Sequence, residues 1–343
     1  MIMNRREKAS SKWPVLLVFP AAAFLYSFAI GRFPMSVPDL LHTLYYHFAD
    51  PTRIANPNME TTLFNIRLPR VLAAMLVGGG LSIAGAAYQG MFKNPMVSPD
   101  ILGASAGAAF GACVAMMLNM PAVYIQLMGF GGGILAVFIA AATTRRFSRD
   151  TVLGLVLGGM MVSTLFQSGT SAIKLLADDD NKLPQITFWL MGSFNTMNRT
   201  RLFSILIPIG VGFLILFFMR WQLNVLSFGE EEARSLGIKT RRVQSLVIVA
   251  STLITASCVS VCGMVGWVGL VIPHVARALA GPNFKRLIPI CAILGSTFLL
   301  LVDNIARTAF TVELPIGILT SVIGVPFFFF IFRYGSGKGG GRE

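Results

Sequence analysis

"RLPRVLAAMLVGGGLSIAGAAYQG", Arg67 to Gly90, carries no charge between Arg70 and its last residue. An α-helix rises 1.5 Å per residue, so a run of about 20 apolar residues crosses the ~30 Å hydrocarbon layer of a bilayer. Similar runs recur along the chain. Ten are placed, at about 14–32, 70–89, 101–119, 123–143, 152–172, 202–219, 244–262, 265–280, 287–305 and 316–333. Backbone groups in lipid must be satisfied within each segment, and alternating β-barrel periodicity is absent. The expected fold class is therefore all-α: a polytopic membrane protein of about ten transmembrane helices.

Composition supports this. Of 343 residues, 55% are hydrophobic and only 13% charged, against roughly 25% charged in soluble domains. Too few charges remain to cover a water-soluble surface. The first run follows Arg5, Arg6, Lys8 and Lys12, as a signal peptide would. It is long and no small-residue cleavage site clearly follows, so it reads as a retained helix. With a cytoplasmic N-terminus, ten spans return the C-terminus to the same side. The 28 basic residues then divide as 19 inside and 9 outside, and the 15 acidic ones as 7 and 8. The net charge of +13 is thus a topology signal. No soluble basic face with aromatic platforms suggests nucleic acid.

The expected organisation is a cytoplasmic segment 1–13, one transmembrane domain over 14–333 and a disordered Gly-rich cytoplasmic tail, 334–343. The tail's "GSGKGGGRE" fails as a phosphate-binding loop, because Phe332 and Gly339 stand where Gly and Ser or Thr are needed. Cys113, Cys258, Cys262 and Cys291 lie in apolar runs and read as packing thiols, with no metal site. Gly103, Gly107 and Gly111 recur every four residues, and Gly78 to Gly80 precede Gly85 and Gly90. Such stripes let helices approach closely in lipid. "SVPDLLHTLYYHF" reads as an amphipathic surface helix whose His42 and His47 point to different faces, both solvated or interfacial. "ADDDNKLPQITFWLMGSFNTMNRTR" supplies Phe188, Trp189 and Phe194 to an outer interfacial rim.

One polar island interrupts the oily runs: "SFGEEEARSLGIKTRR", Ser227 to Arg242. Three acids, Glu230 to Glu232, begin a short helix, Arg234 sits near its end and Gly237 follows as a left-handed cap. A tight turn would join two antiparallel spans with far fewer residues than the cytoplasmic region of about 220–243. Capped and rigid, it has the form of a contact for a partner.

These blocks resemble the membrane permease subunits of bacterial ABC importers for iron–siderophore complexes, haem and cobalamin. The likeness runs from about Leu63 to Phe332. It rests on "RLPRVLAAMLVGGGLSIAGAAYQGMFKNPMVSPDILGASAGA", "WLMGSF", "LNVLSFGEEEARSLGI", "GMVGWVGLVIPHVARALAG" and "ELPIGILTSVIGVPFFFF", in the family's order. The resemblance implies a type II ABC importer permease fold in the bacterial cytoplasmic membrane. It implies two ATPase subunits that hold ATP and Mg, an external substrate-binding protein and a second permease copy, identical or paralogous. This chain would bind no cofactor itself and catalyse nothing.

It further implies residue roles. Glu230, Glu231, Ala233, Arg234, Ser235, Leu236 and Gly237 would form the joint with the ATPase. Arg67, Arg70 and Arg307 would receive acidic side chains of the binding protein, since a guanidinium pairs bidentately with a carboxylate. Asp303, four residues before Arg307, could compete for it. Asn94 and Pro95 in "KNPMVSP", Pro273 in "PHVAR", and Gly103, Gly107, Pro315 and Gly317 would shape the bundle and pathway. Pro273 should kink its helix and free a carbonyl, and His274 beside it reads as a packing residue. Trp267 where the family commonly has Phe, and "GPNFKR" without its Asp-His, leave the cargo open; a ferric siderophore comes first, then cobalamin and haem. An ion-coupled secondary transporter is the alternative, but it calls for mid-membrane acids, and the acids here lie near span ends. A membrane-embedded enzyme finds no nucleophile, metal cluster or paired carboxylates.

Overall fold

The computed structural model describes residues 13–31, 35–50, 56–147 and 151–335. Most of the expected segment 1–13 and of the tail 334–343 lies outside them. In chain order the helices are α1 (Trp13–Ala29), α2 (Val37–Ala49), α3 (Pro57–Thr61), α4 (Leu68–Met91), α5 (Ala104–Met117), α6 (Ala122–Phe147), α7 (Thr151–Leu176) and α8 (Lys182–Leu190). There follow α9 (Arg199–Phe218), α10 (Arg220–Phe228), α11 (Glu230–Ser235), α12 (Thr240–Cys262), α13 (Val268–Ala280), α14 (Phe284–Thr308) and α15 (Ile316–Gly335).

All ten predicted runs fall on helices. Those based on α4, α6, α7, α9, α12 and α14 are long and apolar enough to cross a membrane alone, while α1, α5, α13 and α15 are shorter. The third run begins later than expected, at Ala104 instead of 101. Pro99–Leu102 form a 3-10 turn, and Gly103 takes a left-handed φ of 84° ahead of α5. Gly103 is therefore a hinge before the helix and not part of its glycine face.

Burial places α4 at the centre. In its most apolar stretch 83% of residues are buried, against 28% in α9. Its antiparallel neighbour is α14: Arg70 meets Asp303, Gly78 meets Gly295, and Gly90 lies against Phe284. At the crossing the backbones touch. A Cβ on Gly78 would overlap the Gly295 carbonyl, and one on Gly295 the Gly78 carbonyl. Ser82 and Ser296 donate hydroxyls to the carbonyls of Gly78 and Met75, each at 2.7 Å, so the small side chains leave no unpaired polar group there. The stripe on α5 works likewise: Gly107 faces the Gly132 carbonyl and Gly111 that of Met128 on α6.

Pro57 to Met91 run as one helix with a π-turn at Thr62–Arg67. Pro69 lacks an amide proton and its ring crowds the carbonyl four residues earlier; a widened turn relieves that conflict. α2 forms where the amphipathic pattern predicts, and Leu41, Leu44, Tyr45 and Phe48 are exposed. His47 takes the interfacial side of that reading. It bonds Glu60 at 2.5 Å and stacks on Phe64 at 3.7 Å between ring centres.

Close approach at Gly295 gives a paired test. Gly295→Ala should cost about 1–3 kcal/mol through overpacking. Gly210→Ala, where an added Cβ meets nothing within 4 Å, should be neutral or gain up to about 1 kcal/mol from helix propensity. Thermal unfolding in detergent compares them, and equal melting temperatures would refute the contact.

Candidate functional site

At one end of the bundle the polar island folds into a braced joint. α11 ends as its sequence predicts: Gly237 has φ 78°, its amide bonds Arg234 at 2.9 Å, and the Ile238 amide reaches Ala233 at 2.9 Å. This paired closure satisfies the last carbonyls of a helix too short to persist alone. Glu230 spans the joint. One of its oxygens takes Arg234 at 3.1 Å and the other takes Gln244 on α12 at 2.6 Å. Ala233 is fully buried. Glu230 and Ala233 thus brace the helix, while Glu231, Arg234, Ser235, Leu236 and Gly237 stay exposed. α10 is fastened to α14, because Asn224 bonds the Asn283 side chain at 3.0 Å and accepts the Phe284 amide at 2.8 Å.

Beside this joint lies the turn after α4. Asn94 caps it by accepting the Met96 amide at 2.9 Å, while Asn94 and Pro95 face outward. Gln89 ties the turn to α13. Its amide nitrogen donates to Val97 and Leu270, each at 3.2 Å, and its oxygen accepts Arg277. Pro273 is buried inside α13, one turn after Gly269. His274 is half-buried on the same helix. In the 3-10 turn, Asp100 accepts the Ser105 hydroxyl, and burial pushes its carboxyl above the usual carboxylate range.

The opposite end carries a buried charge cluster. Arg70 grips Asp303 through Nε at 3.1 Å and Nη2 at 2.9 Å, and Glu313 through Nη1 at 3.1 Å. Arg307 donates to the Ser27 carbonyl and to Asn304, and its Nε stands 3.9 Å from Asp303. Arg67 donates to the Phe28 carbonyl. With exposures of 3%, 7% and 5%, the guanidiniums of Arg67, Arg70 and Arg307 are turned into the bundle and not outward. The guanidiniums turn inward because carboxylates and carbonyls inside offer shorter, drier partners than solvent. Asp303 also pairs first with Arg70 across helices, and only distantly with Arg307.

At this same end, the segment after α8 stitches α12 to α15. Ser193 donates its amide to Cys262 at 2.8 Å, and the amides of Ile316 and Gly317 reach Gly192 and Met191 at 2.9 and 3.0 Å. A Cβ on Gly317 would crowd the Met191 carbonyl at 2.5 Å, so glycine is needed there. Pro315 starts this junction and lines a cavity with Glu313. Cys262 bonds the Cys258 carbonyl of its own helix at 3.0 Å, a packing role.

Several working residues escaped the sequence reading. Glu313, Gln89, Gln244, Asn224 and Asn283 act through partners 8 to 243 positions away. A lone amide or acid near a span end gives no local sign of such a partner.

An all-helical bundle with a braced polar joint at one end is the architecture of a transport permease. The signature of the FecCD transport family matches residues 16–334, and the chain belongs to that family. A molybdate import system permease from Haemophilus influenzae is 39% identical over 317 residues, 92% of each chain. An iron chelatin transport system permease from Helicobacter pylori is 39% identical over 80% of this chain and 83% of its own. Among solved structures, an inward-facing metal-chelate type ABC transporter superposes with a TM-score of 0.83 at 37% identity, covering 93% of this chain and 97% of that one.

Removing one partner from a buried ion cluster leaves the others uncompensated, at about 3–5 kcal/mol. Asp303→Ala, which leaves Arg70 with Glu313 as its one carboxylate and takes away the carboxylate nearest Arg307, should lower the melting temperature in detergent far more than Asp39→Ala on exposed α2. Equal shifts would show that the cluster does not hold this end together.

Proposed function

We propose that the chain is the permease subunit of a binding-protein-dependent ABC importer and forms the translocation pathway for a metal chelate. ATP and Mg would be handled by two separate ATPase subunits, which seat α11 on the cytoplasmic side. An external binding protein would deliver cargo to the charge-cluster end, and a second permease copy would complete the pathway. Both termini would be cytoplasmic, the orientation that the Lys and Arg bias favours. Family membership supports this reading over an ion-coupled secondary transporter.

One observation carries the coupling role. Leu236 is 61% exposed at the end of a helix whose opposite face is locked to the bundle. Phe228 at the other end is 78% exposed. Large apolar groups around a charged, rigid helix outside the spans suit a protein cleft better than water. Nucleotide-driven movement there would reach α12 through Glu230–Gln244 and α14 through Asn224–Asn283. The switch between outward- and inward-facing states then follows from which state the ATP-bound partner grips better.

An iron–siderophore complex is the first choice of cargo, with cobalamin and haem in the same size range. A second reading is molybdate, favoured by the 39% identical relative that bears that name and spans 92% of the chain.

Leu236→Asp tests the joint without touching the packed face. The melting temperature should hold. ATP-driven uptake in proteoliposomes with the ATPase and binding protein should fall about tenfold, equivalent to about 1.4 kcal/mol of lost joint affinity. The cargo used is whichever ligand the cognate binding protein retains in a screen of ferric siderophores, cobalamin, haem and molybdate. Unchanged uptake would sink the coupling assignment.

A further inference from the structure

A cavity of about 670 Å³ opens at the charge-cluster end, between the ends of α5 and α12, the start of α9 and the segment leading to α15. Its polar wall is made by Arg201, Gln185, Ser193, Asn195 and Thr196, with Glu313 at the side facing the cluster. Arg201 donates to the Thr196 hydroxyl. Among the described residues it makes no ion pair. Glu313, the carboxylate in the same wall, is already held by Arg70 through both oxygens. Among the described residues of the cavity wall and the Arg70 cluster, the three guanidiniums of Arg70, Arg201 and Arg307 stand against the two carboxylates of Asp303 and Glu313. The excess is positive, and Arg201 is the member half-exposed to the space.

We infer that this cavity receives anionic oxygens of the cargo, such as the carboxylates of a ferric chelate or the oxygens of a metal oxyanion. A guanidinium fork matches either geometry, and adjacent hydroxyl and amide groups supply further donors. A single half-exposed charge binds weakly, which suits a site that must release its ligand onward. The inference rests on the importer reading and sharpens its cargo: an anionic, oxygen-rich species and not a neutral one.

Arginine modification by phenylglyoxal tests this on the unmodified full-length permease, assembled with its ATPase subunits and binding protein in proteoliposomes, where uptake is read alongside. Peptide mass spectrometry follows the labelling rates of Arg201 and of Arg199, whose guanidinium donates to the Phe64 carbonyl. Sodium molybdate and ferric citrate serve as anion probes. Either should slow labelling of Arg201 about threefold, as two-thirds occupancy requires, and leave Arg199 unaffected. An unreactive Arg201, no protection by either anion, or equal protection at Arg199 would overturn the proposal. Protection by ligand-free binding protein alone would overturn it too, because Arg201 would then be a docking contact. Loss of protection with ATP-driven uptake intact sinks this site alone. Protection without any ATP-driven uptake sinks the importer reading instead.

Discussion

Contact between the backbones of α4 and α14 is the constraint on which the rest depends. In lipid there is no hydrophobic drive between helices, so van der Waals contact and hydrogen bonds must hold them. Gly78 and Gly295 bring the two backbones together where any Cβ would intrude. That crossing fixes the register of both ends. Arg70 lands opposite Asp303 on one side, and Gly90 opposite Phe284 on the other. From Arg70 to Gly90 the helix climbs about 30 Å, the thickness of the hydrocarbon layer. One close-packed pair therefore positions the charge cluster at one surface and the anchor for α10 at the other.

The two ends use opposite physics. The joint is made of exposed charge and short local bonds: Glu230 to Arg234 is a single helical turn, and Glu230 to Gln244 reaches the next helix. Water screens it, so its bonds set geometry more than stability. The cluster is dry and its bonds span 233 and 243 positions of sequence. Burying those charges is costly and is offset only because Arg70 satisfies two carboxylates together. Such a network favours one arrangement of α4, α14 and the segment before α15 over its neighbours.

Periodicity and length made the ten spans legible, and end chemistry made the Gly237 cap legible, because both are local. The amphipathic α2 was legible for the same reason. Partners were not. Arg67, Arg70 and Arg307 look alike in sequence whether they face a docking protein or a buried carboxylate, and only the tertiary register decides. Gly103 failed differently. Spacing groups it with Gly107 and Gly111, but Pro99 starts a 3-10 turn that places it outside the helix with φ 84°. Glu230 belongs to a charged helix by composition, yet it serves as a brace since Gln244 lies within reach.

Rigid coupling follows from these contacts. A force on α11 enters α12 through Glu230 and, by way of α10, enters α14 through Asn224. α14 cannot slide along α4 by a residue without driving side chains into the Gly78–Gly295 crossing, so small displacements must be carried as rigid-body motion. Packed interfaces of this kind switch between discrete arrangements and do not deform continuously. At the far end of α14 stand Asp303 and Arg307, whose bonds reach α4 and α1, and Arg70 carries the link on to Glu313 in the segment before α15. The geometry of the far end is thereby tied to the position of α11 through a single unbroken helix. The cavity beside Glu313 shares that tie, so a shift in α14 that altered the Arg70–Glu313 bond would change the charge facing the cavity. Capture and release of an anion could then follow the same motion that moves the joint, with no titratable group needed in the middle of the membrane.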